Sequence, residues 1–337
     1  MATIKDVARE VGLSVTTVSR ALNNYDDVAE ATRLRVRTAA DLLDYHPNAA
    51  ARSLQGNHTN TVGLVIPLTL HRSYDAFWSE FIGGVAGTCA RRGVDLLVAA
   101  AATPAPPDEG FERLVRGRRV DGLLICDVRD ADERIAYLRK HCLPFVAFGR
   151  TMGAQTYPYI DVDGAAGAAR AVEHLIHLGH RRIAYLGVDP HFGFSHFRFD
   201  GYRAALTRAR LSCDEALVRH GLAEEDVSAA LAALLALPEP PTAVVAAADF
   251  LALAALRAAR AAGLTTPDDF SLVTFDDSLL VQHADPPLTA IGQPNRLLGA
   301  EAATLLLDRA ADLSLPPAQR LVAPTFVTRH STAPPRA

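Results

Sequence analysis

Cysteine is scarce in this 337-residue chain, and the four present, Cys89, Cys126, Cys142 and Cys213, stand far apart without a C-x-x-C pair. That spacing excludes a disulfide framework or thiolate metal site and predicts buried free thiols. The N-terminus lacks an apolar run of signal-peptide type, with charge beginning at Lys5 and Asp6, so the chain is expected to stay in the cytoplasm. A membrane-length stretch is missing too. The longest apolar segment, 243–263, is broken by Asp249, Arg257 and Arg260 and reads as a strand followed by a helix. No G-x-S-x-G, P-loop, G-x-G-x-x-G or H-E-x-x-H motif occurs, and the twelve histidines show no ligand spacing. The expectation is therefore no enzyme, no metal and no cofactor. His177 and His180, at a helix end, are expected to cap carbonyls.

Charge of one sign is also lacking. The formal net charge is −4, and within residues 1–60 seven basic residues (Lys5, Arg9, Arg20, Arg33, Arg35, Arg37, Arg52) balance seven acidic ones. Indiscriminate nucleic-acid binding is thereby disfavoured, and any DNA recognition must rest on motif geometry. What is abundant is apolar character: 49% of residues are apolar and 21% charged, a globular composition with ample core.

Near the N-terminus, Thr3 with Asp6 forms a capping-box-like start, and Ile4, Val7, Ala8 and Val11 recur at helical spacing. Gly12 is placed to end that helix, Leu13 plugs the turn, and Ser14 is a good N-cap for a second helix. The second helix has an inner face of Val15, Val18, Ala21 and Leu22 and an outer face of Thr16, Thr17, Arg20 and Asn23. Two short helices joined by a tight glycine turn have the layout of a helix-turn-helix. A third helix near 30–43 supplies Val36, Ala40 and Leu43 to close the core, and Pro47 ends the module.

Further along, strand-like runs alternate with helical patterns. One series is VGLVIP, a helix 81–92, DLLVAAA, a helix 109–116, DGLLIC, a helix 131–140 and PFVAFG. A second is a helix 164–178, RIAYLG, a helix 198–208, TAVVAA, a helix 249–262 and SLVTF. Such alternation builds parallel sheets covered by helices, and two series imply two lobes. Ligands bind beyond the carboxyl ends of such strands. Those ends carry Phe77 and Trp78, the 191–198 loop and Asp276-Asp277, a set of charged groups and rings suited to a polyhydroxylated ligand. Phe77 and Trp78 read equally well as core, and Arg198 with Asp276 could instead form a structural salt bridge.

The run IKDVAREVGLSVTTVSRALNN, then VAEATRLRV, then YHPNAAARSLQGNHTNTVGLVIP resembles the headpiece, hinge and first strand of the lactose/galactose repressor (LacI/GalR) family, and the similarity continues to about Thr328. The resemblance implies a small all-α helix-turn-helix headpiece plus an α/β two-lobed, periplasmic-binding-protein-like domain with two parallel doubly wound sheets. It implies a homodimeric transcription repressor, binding pseudo-palindromic operator DNA and tuned by a small molecule, a carbohydrate, held between the lobes. Positions matching Val15, Thr16 and Arg20 would touch base edges, with Thr17, Ser19 and Asn23 positioning the backbone. Residues 48–54 would fold on DNA as a hinge helix whose Leu54 wedges into the minor groove. Gln55 stands where a basic residue often follows that leucine. Phe77, Trp78, Asp163, Arg198 and Asp276 would line the effector pocket, with Phe194 in the adjoining loop. Ala248 stands where sugar-sensing members often carry asparagine.

The implied organisation is headpiece 1–46, hinge and linker 47–61, an N-terminal lobe of 62–160 with 292–320, a C-terminal lobe of 161–291 with 321–330, and a tail 331–337. The alternative is a solute-binding receptor of the same two-lobed fold without a regulatory role, which would carry a secretion signal in place of the helix-turn-helix.

Overall fold

The computed structural model describes residues 2–45, 58–68, 75–102 and 109–336. Leu54, Gln55 and the expected hinge helix lie outside the described residues. The chain divides into two compact units, Met1–Thr59 and Asn60–Ala337.

The first unit holds three helices, α1 (Ile4–Val11), α2 (Val15–Leu22) and α3 (Glu30–Leu42). At the start of α1 the Asp6 carboxylate accepts the Thr3 backbone N–H at 3.0 Å and its hydroxyl at 2.7 Å. Gly12 turns the chain at φ +66°, a conformation costly for a residue with Cβ. That turn lets Leu13 N–H reach the Ala8 carbonyl at 3.0 Å, a Schellman closure. Ser14 then caps α2, its Oγ accepting Thr17 N–H at 3.1 Å. Val7, Val11, Val18, Ala21, Val36 and Ala40 form the small core. Val15, expected on the inner face of α2, is instead 41% exposed, because it sits on the first turn, ahead of the seam with α3.

The second unit contains two sheets. The N-terminal lobe is built on β1 (Thr61–Leu68), β2 (Asp95–Ala102), β3 (Gly122–Ile125), β4 (Phe145–Phe148), β5 (Tyr159–Val162) and β11 (Gln319–Val322). All its pairings are parallel, in the order β11-β5-β4-β3-β1-β2. The C-terminal lobe uses β6 (Ile183–Leu186), β7 (Val218–Arg219), β8 (Ala243–Ala246), β9 (Ser271–Phe275), β10 (Thr289–Gly292) and β12 (Thr325–Val327). Its order is β12-β10-β9-β8-β6-β7, with β12 alone antiparallel. Strands β3, β5, β6, β8, β9 and β10 are buried along their whole length, as parallel strands covered by helices on both faces must be.

Crossovers shift the expected boundaries. Asp161 and Val162 pair with Leu321 and Val322 inside the first sheet, so the lobe limits expected after 160 and 320 move to 162 and 322, while Gly292, expected to open the return to the N-terminal lobe, still pairs with Thr325 in the second sheet. The reason is register: β5 and β11 run on as one ladder before the chain leaves. Residues 331–333 are no tail. Ser331 is fully buried, accepting Thr289 N–H at 2.8 Å and giving its hydroxyl to the Leu272 carbonyl, while the Ala333 carbonyl bonds His180 and Ser271. His177 bonds the Glu173 carbonyl at 2.7 Å, as a cap should, whereas His180 is buried between Thr242 and Ser271. Among the thiols, Cys89 and Cys126 are buried, but Cys142 is exposed and Cys213 half-buried. Cys142 lies in a turn at φ +52°, away from the apolar run that follows it. Among the described residues no helix is long and apolar enough to cross a membrane, and no cluster of three potential metal ligands occurs.

Candidate functional site

Helix α2 presents Val15, Thr16, Arg20 and Asn23 as exposed side chains, with Thr17 half-buried beneath them. Thr17 is tied to Ser14, hydroxyl to hydroxyl at 2.8 Å, so it steadies the start of the helix. Asn23 ends it and reaches Ser19 at 3.5 Å. Arg20 lies 4.8 Å from the Tyr25 ring centre and is ion-paired with Asp27. Both partners are exposed, so exchanging this carboxylate for a base edge costs little.

The second site is a cavity of about 230 Å³ between the lobes, at the carboxyl ends of both sheets. Of the residues expected there, Phe77, Trp78, Phe194, Arg198 and Asp276 line it. Asp163 is not among the lining residues. Its carboxylate accepts Ala166 N–H at 2.9 Å as the N-cap of helix Gly164–His177, and Asp161, two residues earlier on β5, takes the wall position. The aromatic pair has both roles left open by the sequence. Phe77 stacks on Phe81 at 5.7 Å and meets Trp78 edge-on at 5.1 Å, while Trp78 is only 9% exposed.

Arg198 is the centre of the far wall. Its guanidinium carbon lies 3.8 Å from the Phe275 ring centre and 4.7 Å from that of Phe194. One nitrogen donates to the Ala247 carbonyl and stands 3.7 Å from Asp276 Oδ2. The two residues are thus both an ion pair and cavity wall. Asp276 holds a left-handed φ of +74°; its N–H donates to the Ile291 carbonyl at 2.9 Å and its Oδ1 accepts from Gln293. An aspartate kept in that conformation by partners on both sides is strain typical of a binding site. Arg198 Nε and Asn295 Oδ1 are among the buried polar atoms on the wall that have no hydrogen-bond partner. One is a donor and one an acceptor, a pair that a hydroxyl-bearing ligand can satisfy.

Four lining carboxylates escaped the sequence reading, Glu80 on helix Asp75–Arg91 and three at strand ends or a helix start. Asp127 follows β3, Asp161 ends β5, and Asp249 opens helix Asp249–Ala261; their strand-end positions were the available signal. Asp161 pairs with Arg150 at 2.8 Å; burial pushes its carboxyl up while Arg150 pulls it back. Asp249 accepts Phe250 N–H at 2.7 Å, and burial, then the neighbouring Asp276, pushes it up to about 7.

On one side of the cavity the lobes are sewn together. Gly193 N–H donates to the Val128 carbonyl at 2.9 Å, and Asp130 N–H to the His191 carbonyl at 3.2 Å. His196 Nε2 lies 2.7 Å from Asp130 Oδ2, and Arg150 covers the Phe197 ring at 4.0 Å. Helix Gly193–Arg208 begins five residues before its expected start because its first amide is satisfied from the other lobe rather than by a local cap.

Comparison with known proteins follows this division. Residues 3–48 match the model for bacterial regulatory proteins of the lacI family, and residues 172–332 match a periplasmic binding protein-like domain. The HTH-type transcriptional regulator CelR of Thermobifida fusca is 34% identical over 333 residues, 98% of each chain. A solved CelR–cellobiose complex superposes with a TM-score of 0.74 at 32% identity, covering 98% of this chain and 100% of that one. The lac repressor dimer bound to operator and the anti-inducer ONPF gives 0.83 at 26% identity, covering 98% and 99%. The chain, a DNA-binding transcription regulator and not an enzyme, therefore belongs to the lacI family of bacterial regulatory proteins.

Proposed function

We propose that this protein is a cytoplasmic repressor that binds a pseudo-palindromic operator as a homodimer and changes its operator affinity when a carbohydrate enters the cleft. The observation that carries the reading is the exposed row Val15, Thr16 and Arg20 on a helix capped at both ends. In the major groove Arg20 would fork onto guanine, Thr16 would reach neighbouring bases, and Val15 would meet a thymine methyl; Thr17 and Asn23 would hold the backbone register. The hinge stretch with Leu54 and Gln55 would complete the contact from the minor groove. Support for a sugar comes from the stacked rings, the Arg198–Asp276 pair and the two orphaned polar atoms, and from the cellobiose held by a relative. Phe77, Trp78, Phe194, Arg198 and Asp276 are the proposed contacts, while Asp163 would act only through the helix it caps. A solute receptor of the same fold has no use for a capped three-helix headpiece.

The operator can be selected by the protein itself from random duplexes and then footprinted. Two symmetric half-sites protected by a dimer are expected. One asymmetric half-site bound by a monomer would overturn the reading.

A further inference from the structure

The second and third chain crossovers between the lobes meet at one turn of the cavity wall. Strand β9 ends at Phe275, and Asp276 and Asp277, which follow it, both line the cavity. Asp276 N–H donates to the Ile291 carbonyl at 2.9 Å, and its Oδ1 accepts from Gln293 Nε2. Gln293 follows β10 on the second crossover, two residues ahead of helix Asn295–Ala311, whose Leu298, Ala302 and Leu306 are buried in the core of the N-terminal lobe. The third crossover reaches the same turn. At Gly292 a Cβ would stand 2.5 Å from Thr325 Oγ1 and 3.4 Å from Asp277 Cβ. Arg329, just after β12, stands 2.7 and 2.9 Å from the two Asp277 carboxylate oxygens and donates to the Leu288 carbonyl at 2.8 Å.

The chemistry of the Gln293 bond fixes its direction. A carboxylate only accepts, so the amide must turn its nitrogen, not its oxygen, to Asp276. The other carboxylate oxygen stands 3.7 Å from Arg198, on helix Gly193–Arg208 of the C-terminal lobe. One side chain thus spans a cation of that lobe and an amide of the crossover. A ligand hydroxyl that donates to Asp276, or that draws Arg198 away from it, changes the charge that Gln293 meets, and bonds to charged groups are about twice as strong as neutral ones.

We infer that Gln293 is a positioning residue for the effector response: through Asp276 it ties occupancy of the cavity to the second crossover, and its loss uncouples effector binding from operator binding while sparing both. The inference rests on the reading that a carbohydrate in this cleft changes operator affinity, and it names the link between the two. Coupling is a difference between two states of the protein, so one residue can carry it while adding little to either binding step. Gln293 also borders the cavity, so direct contact with the ligand is the rival role.

The test compares the full chain with Gln293→Met, which keeps the side-chain length and removes the donor, and with Gln293→Glu, which keeps the shape and puts an acceptor in the donor's place. Neutral mono- and disaccharides, glucose and cellobiose among them, are titrated by calorimetry, and the tightest binder is carried into operator titrations. Hydrogen–deuterium exchange over residues 276–277 and 289–293 is followed without ligand. Both variants should bind the sugar within about tenfold of wild type and ligand-free operator within about twofold. The sugar-induced change in operator affinity, about fivefold or more in the wild type, should fall below about twofold. Exchange over the two segments should be roughly tenfold faster in both variants, with β8 unchanged. A wild-type response in either variant overturns the inference. So does a loss of sugar affinity beyond tenfold, which would make Gln293 a direct ligand contact. If no sugar binds the wild type, or none shifts its operator affinity, the reading beneath the inference falls. The exchange measurement then still decides on the link: unchanged exchange in the variants overturns it, and faster exchange upholds it.

Discussion

At Arg20 the side chain faces a choice of partners. In the free headpiece it rests on Asp27 and Tyr25, an exposed arrangement worth little by itself, whereas a guanine offers two well-aligned acceptors. Arg20→Ala should therefore cost about 1–3 kcal/mol on the selected operator and almost nothing on unrelated DNA. Competition gel shifts with both DNAs check this, and an equal loss on the two would mark Arg20 as a phosphate anchor. Asp249 gives a second residue-scale prediction. Its native carboxyl titrates near 7, above the ordinary value of about 4 for an unfolded chain. Between those values the native state holds a proton that the unfolded state has lost, so stability falls as pH rises from about 4 to about 7 and then levels off. Asp249→Asn should raise the thermal midpoint of the ligand-free protein more at pH 8.5 than at pH 5. An equal rise at both would show that Asp249 is ionised throughout. Arg198 and Asp276 were legible in the sequence because both follow strands. Asp163 and Asp161 were not distinguishable there, since which of two alternate residues caps a helix and which faces the cleft depends on where β5 ends.

Among the elements, those with local causes were read well. The helices of the headpiece announce themselves through Thr3, Gly12 and Ser14, and the alternating strands through apolar runs with turn residues between them. Strands β5, β10, β11 and β12 are less legible because each has only three or four residues, and β11 and β12 pair only with strands distant in sequence. The early start of helix Gly193–Arg208 was invisible for the same reason: its first amide bonds across the cleft. At Gly193 a Cβ would lie 1.9 Å from the Arg150 carbonyl oxygen, so the lobes approach closely at this residue. Gly193→Ala should push the seam apart and weaken effector binding by at least about tenfold, while leaving the helical content seen by circular dichroism unchanged. Wild-type effector affinity in this variant would show that the seam is not part of the ligand-competent form.

For the whole molecule, regulation requires that occupancy of the cleft and occupancy of DNA share free energy. A ligand shifts the DNA-binding equilibrium only through its different affinity for two states of the protein, and such coupling is typically about 1–3 kcal/mol, or 5–150-fold in affinity. Lobes joined by three crossovers and closed by a seam of hydrogen bonds supply the two-state element. The most direct measurement is an operator titration of the full chain with and without the effector found by calorimetry, run beside Arg198→Ala. Effector is expected to change wild-type operator affinity at least fivefold. Arg198→Ala should bind operator as wild type does when ligand-free and show no response to effector. Contradiction would come from Arg198→Ala binding effector and shifting operator affinity as the wild type does, which would place the sensing site elsewhere.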